Sequence, residues 1–112
     1  EIRAFELPSN EPNYITIKST QGSVAFEGCD KEELIGNILM IPSADPGYDW
    51  IFSKKISGFI TMYGGANSHM AIRAGELGIP AVIGAGEVLY RQWSMAKSIE
   101  IDCANKQVHI LK

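Results

Sequence analysis

One unit constrains the fold more than any other: Gly58-Phe59-Ile60-Thr61-Met62, then Gly64-Gly65, the stretch Ser68 to Leu77, Gly78-Ile79-Pro80 and finally Ala81-Val82-Ile83. The first apolar run is short and nearly continuous, which suits a strand covered on both faces. Two adjacent glycines end it, since they permit left-handed backbone angles and close approach to the main chain. From Ser68 to Leu77 the residues are helix formers with Ala71, Ala74 and Leu77 three apart. Gly78 supplies a C-cap and Pro80 prevents the helix from resuming. Strand, helix and strand in that order predict parallel pairing through a right-handed crossover.

The flanks extend the pattern. Asn37-Ile38-Leu39-Met40-Ile41 reads as another buried strand, ending at Pro42. Asp45-Pro46 then offers an N-cap acceptor followed by proline at the first helical position, predicting a helix from Pro46 to about Lys55 with Ile51, Phe52 and Ile56 on a broad apolar stripe. Downstream, Gly84-Ala85-Gly86 closes the last central strand, and a short helix over Glu87 to Trp93 has Val88, Leu89 and Trp93 as its apolar side. Ser98 to Asp102 and Lys106 to Ile110 alternate, with Ala104-Asn105 between them favouring a hairpin. Near the start, Tyr14 to Lys18 and Ser23 to Glu27 read as short strands, and Asp30 to Leu34 as a single turn. The turn-rich stretch Pro8 to Asn13 makes residues 1–13 a linker or edge segment and 14–112 the domain. The expected class is α/β, with a mixed, largely parallel central sheet and antiparallel strands at its two ends.

Composition narrows the functional classes. A chain of 112 residues holds one core, and 46% hydrophobic with 21% charged residues describes a folded domain. The formal charge is −3 and the ten Lys and Arg residues are scattered, so the footprint of a nucleic-acid or anionic-membrane binder is missing. No apolar run approaches the roughly 20 residues of a membrane span, and Glu1 to Ser9 lacks the basic-then-apolar order of a secretory signal. Cys29 and Cys103 are far apart and outside any paired metal or redox motif, which suits reduced, structural thiols. A cytoplasmic protein is expected, and a start at Glu1 rather than Met suggests processing or a boundary that leaves partner domains out.

His69 is the residue most suited to chemistry. With Asn67 or Ser68 as N-cap, it falls in the first turn of the central helix, where amides unpaired by the helix and the helix dipole favour a bound anion. The dipole also opposes a positive ring, leaving a lone pair that can attack phosphorus. The phosphoryl group received would sit near those amides and the Ser68 hydroxyl. Arg73, four residues on, shares the His69 face, where its guanidinium can reach a phosphoryl oxygen or pair with a surface carboxylate. A lone His after a Gly-Gly turn also suits a cap, a core residue or an exposed ring, so spacing alone leaves these open. No metal site is expected, because the other His, His109, is distant and no third ligand clusters with the pair. Gly64-Gly65 lacks the Lys-Ser/Thr of a P-loop and the third glycine of a dinucleotide fingerprint, and no Gly-x-Ser-x-Gly elbow occurs.

The stretch from Thr61 through Gly64-Gly65-Ala66-Asn67-Ser68-His69-Met70-Ala71-Ile72-Arg73 to Gly78-Ile79-Pro80-Ala81-Val82-Ile83-Gly84 closely resembles the phosphohistidine, or mobile, domain of the phosphoenolpyruvate-utilising enzymes. The resemblance implies a swivelling β/β/α domain in which His69 carries a phosphoryl group on Nε2, with Thr61, Gly65, Asn67 and Ser68 around it. It further implies a carrier that moves between an ATP-binding domain and a barrel domain binding phosphoenolpyruvate through Mg²⁺. ATP and Mg²⁺ are therefore expected in a parent enzyme, with no cofactor bound by this domain alone. Two positions depart from the family pattern: Met70 stands where Ala, Ser or Thr is usual, placing a thioether next to the ring, and Gly75 replaces an Arg whose charge Arg73 can partly supply. A non-catalytic docking or regulatory domain on the same fold is the alternative.

Overall fold

The computed structural model describes residues 12–28 and 30–112. The linker expectation for 1–13 lies almost wholly outside the described residues, as does the reading of Cys29. Among the described residues seven strands form one sheet: β1 (Asn13–Ile15), β2 (Ser19–Phe26), β3 (Ile38–Ser43), β4 (Gly58–Tyr63), β5 (Ala81–Ile83), β6 (Ser98–Asp102) and β7 (Gln107–Ile110). Their order across the sheet is β1-β5-β4-β3-β2-β6-β7. The helices are α1 (Lys31–Leu34), a 3-10 helix Pro46–Ser53, α2 (His69–Leu77) and α3 (Gly86–Ser94).

The largely parallel sheet of a swivelling β/β/α domain is not what forms. Parallel pairing joins β2, β3, β4 and β5, but β1 pairs with β5, β6 with β2, and β7 with β6 in the antiparallel sense. The antiparallel ladders hold the larger share of the paired residues. The cause lies in β2, which is longer than its apolar core suggests. Ser19 to Ser23 pair with β6, whereas Val24 to Phe26 pair with β3, and the sheet curls into a half-barrel where β2 changes partner. Gly22 lies within β2, where a Cβ would come 2.8 Å from the Gly36 carbonyl oxygen. The β6–β7 connection spans only Cys103 to Lys106, too short for anything but an antiparallel hairpin.

Other local differences have similarly local causes. The first strand stops at Ile15 because Thr16 adopts φ 78°, which leaves Ile17 exposed rather than half-buried. Pro42 lies inside β3, not at its end. Pairing with β2 stops at Met40, so the ladder beyond has β4 on one side only and tolerates a residue without an N–H. The helix expected from Asp45-Pro46 is a tight 3-10 helix, and the Asp45 carboxylate accepts from the Ser43 hydroxyl at 2.9 Å instead of capping it.

The sheet is covered on both faces by alternation along its strands. Leu39, Ile41, Phe59, Ala81 and Ile83 face α2 and the 3-10 helix, meeting Met70, Ala71, Ala74 and Ile51. Ile38, Met40, Ile60 and Val82 face α3, meeting Trp93 together with Ile99 and Ile101. Each such large side chain contributes about 1.5–3 kcal/mol relative to exposure. Val88 departs from the expected apolar side of α3 and is exposed.

Candidate functional site

β3 and β4 run parallel with Ser43 opposite Tyr63, so the segments leaving their C-terminal ends start side by side. One is the 3-10 helix; the other is the loop Gly64 to Ser68 that leads into α2. The loop is tightly built at its start. Gly64 has φ 135°, and a Cβ there would fall 2.6 Å from Ala44 Cβ. The Gly84 amide donates to Thr61 Oγ1 at 2.9 Å, and a Cβ on Gly84 would collide with the Gly64 carbonyl oxygen. Thr61 is fully buried, its Oγ1 also donating to the Tyr63 carbonyl at 2.9 Å. It ties the end of β4 to the turn after β5, one layer below the surface on which His69 lies.

Past that anchor the chain opens. At Gly65 a Cβ would meet nothing within 4 Å, and Asn67 is exposed. Ser68 is the N-cap of α2: its hydroxyl accepts from the Ala71 amide at 3.3 Å, and its carbonyl accepts from the Ile72 amide at 3.1 Å. The helix itself offers no acceptor to the amides of His69 and Met70. At the other end, Gly78 takes φ 72° as expected for a C-cap, and Lys18 Nζ donates to its carbonyl at 3.1 Å. A cation there complements the helix dipole.

His69 is the first residue of α2, with its side chain 40% exposed. Its Nε2 lies 2.8 Å from Oδ1 of Asp49, a residue of the 3-10 helix. An ionised carboxylate only accepts, so the ring proton is on Nε2 in this arrangement. Arg73 Nε donates to the same oxygen at 3.3 Å, while its guanidinium carbon lies 5.6 Å from the Phe52 ring centroid. Phe52 in turn packs edge-on against Phe59 of β4 with centroids 5.6 Å apart. A further carboxylate, Glu76, stands 3.9 Å from Arg73. The His69 hydrogen bond, reinforced by the Arg73 hydrogen bond and charge, holds the Asp49 carboxyl below its ordinary value of 3.8 against partial desolvation.

The structure therefore brings His69, Ser68 and Arg73 to one corner, keeps Gly65 and Asn67 on the adjoining loop, and sets Thr61 beneath. Asp49 is the residue that sequence reasoning missed. Its only local signal was the Asp45-Pro46 helix start, which carries it to the end of the strand neighbouring the His69 loop. Met70 is fully buried among the core residues of its face, so its thioether points into the sheet and not alongside the His69 ring. Gly75 is exposed, and a Cβ there would make ordinary contact with Ile15 at 3.8 Å. Among the described residues no three His, Cys, Asp or Glu side chains converge on a common point. Asp49, already shared between His69 and Arg73, does not make a magnesium site.

The chain is 39% identical over 69 residues to phosphoenolpyruvate synthase of Escherichia coli (strain K12), covering 62% of this chain and 8% of that protein. It is 45% identical over 66 residues to the phosphoenolpyruvate synthase of Aeropyrum pernix, 58% of this chain and 8% of that one. Against the Synechocystis sp. phosphoenolpyruvate synthase it is 31% identical over 96 residues, 77% of this chain and 11% of the relative. The chain thus spans about a tenth of the length of these relatives. Among solved structures, the solution NMR structure of a UPF0107 protein superposes with TM-score 0.63 at 18% identity, covering 91% of this chain and 98% of that one, a likeness of fold alone. The family model described as PEP-utilising enzyme, mobile domain, matches residues 35–106. On that match, which takes in β3 through β6 and the whole His69 corner, the chain belongs to the mobile-domain family of the phosphoenolpyruvate-utilising enzymes.

Proposed function

We propose that this chain is the phosphoryl-carrier domain of a phosphoenolpyruvate-utilising phosphotransferase and that His69 is the carrier. The supporting observation is the placement of His69: a solvent-accessible imidazole at the first position of a capped helix, beside amides the helix leaves unpaired and within one turn of Arg73. A ring nitrogen attacks phosphorus, the bond from phosphorus to the donor's leaving oxygen breaks, and that oxygen departs with the electron pair. The first-turn amides and the Arg73 guanidinium oppose the negative charge held by the phosphoryl oxygens. Ser68 and Asn67 border the same space, and Gly65 leaves it open. Thr61 acts from below, by fixing the loop.

In this reading the donor and acceptor sites are on other domains, an ATP-binding domain and a barrel that binds phosphoenolpyruvate, and ATP and Mg²⁺ belong to those sites. The alternative of a docking or regulatory domain draws on Met70 and Gly75. Met70 lies in the core and Gly75 outside the His69 corner, so neither removes a group from the site.

A carrier must both load and unload. The full-length protein given radiolabelled phosphoenolpyruvate is expected to take label on His69 and to release it on a chase with unlabelled pyruvate or nucleotide acceptor. Label that never reaches His69, or that loads and cannot be chased by any acceptor, overturns the reading.

A further inference from the structure

The contact between Asp49 and His69 has the wrong occupant for a carrier ready to load. Nε2 of His69 and Nε of Arg73 both point at one carboxylate oxygen, at 2.8 and 3.3 Å. These are two of the groups that the carrier reading assigns to the phosphoryl group. We propose that the Asp49 carboxylate is a built-in stand-in for the phosphoryl group, latching His69 and Arg73 in the unloaded carrier and being displaced when the ring is phosphorylated. This rests on the carrier reading and adds to it a residue, a resting state and a movement.

Three observations support it. A proton on Nε2 occupies the lone pair, so attack by Nε2 requires the ring to leave Asp49 and, by exchange with solvent, to carry its single proton on Nδ1. The new Nε2–P bond then forms as the donor's P–O bond breaks, with the electron pair leaving on the donor oxygen. Second, Asp49 is held more acidic than an ordinary carboxyl by His69 and Arg73, so it serves as an anion rather than as a base that takes up the ring proton. Third, a phosphoryl group on Nε2 and the Asp49 carboxylate would be like charges competing for one guanidinium. Arg73 is kept in place during the exchange by Phe52, which stacks under it from the 3-10 helix. Asp49 is itself about half exposed, so it can turn to solvent without opening the core.

Phosphoramidate, a small chemical phosphoryl donor, tests the latch without any partner domain's active site. In the full-length protein, Asp49→Ala is expected to raise the rate of His69 phosphorylation by roughly three- to tenfold, the scale of one charged hydrogen bond at a partly exposed site. Asp49→Asn, which keeps the shape but not the charge, is expected to fall between the two. In the wild type, the Asp49 side-chain carboxyl carbon is expected to change its NMR shift on phosphorylation, a signal that a purely structural role would not move. His69 labelling at the same or a lower rate in Asp49→Ala, with an otherwise native spectrum, overturns the latch and leaves the carrier reading intact. An unmoved Asp49 carboxyl signal in the phosphorylated wild type does the same. Absence of label from His69 in every form overturns both.

Discussion

Asp49 and His69 meet at 2.8 Å although they lie on different elements, one on the 3-10 helix after β3 and the other at the first position of α2 after β4. The parallel register that sets Ser43 opposite Tyr63 brings them together. This contact has a pH signature. The folded chain holds the Asp49 carboxyl below 3.8, so the unfolded chain takes up that proton first as pH falls. The stability it adds is fully present above the ordinary carboxylate range and is lost as pH falls through it to the lower folded value. Denaturant unfolding across the acid range is expected to show wild type and Asp49→Asn converging below about pH 4. A gap between them that does not narrow as pH falls through the carboxylate range contradicts the contact.

Ser68 sets where α2 begins and hence where His69 stands. Its hydroxyl accepts from Ala71 at 3.3 Å, a long cap bond, so Ser68→Ala is expected to cost about 0.5–1 kcal/mol in urea unfolding. Ser68→Asp, which restores an acceptor and adds a negative charge at a helix start, is expected to recover that loss.

Thr61 was expected beside the phosphoryl group and is found fully buried, bonded to the Tyr63 carbonyl and the Gly84 amide. Thr61→Val keeps the volume and leaves the Gly84 N–H without its acceptor. A loss of about 1–3 kcal/mol is expected, with Thr61→Ser costing less. Equal stability of Thr61→Val and wild type would contradict the anchoring role.

Cys103, the residue after β6, lies inside the core of the α3 face, and burial pushes its thiol above the ordinary value of 9.0. Alkylation by iodoacetamide at neutral pH is therefore expected to be slow in the folded protein and fast in denaturant. Rapid labelling of Cys103 in the native state would contradict its burial.

The central unit was legible in the sequence because its signals are local. Gly64-Gly65, the Ser68 cap and Gly78-Ile79-Pro80 each act within a few residues, and together they placed His69 at the start of a helix. What stayed hidden depends on partners distant in the chain. β2 reads as five residues until β6 pairs with its first half, and this pairing is what defeats a largely parallel sheet. Val88 follows the apolar spacing of α3, yet its side of the helix faces away from the sheet. Asp49 is marked locally by no more than the Asp45-Pro46 helix start, since its importance arises from the strand register that sets it against His69 and Arg73.

The central claim is that His69 becomes phosphorylated, and ³¹P NMR of the full-length protein incubated with phosphoenolpyruvate tests it most directly. The expected result is a phosphoramidate resonance that survives alkali, disappears in mild acid and is absent from His69→Ala. A resonance of the same kind retained in folded His69→Ala, or none at all in the wild type, would contradict it.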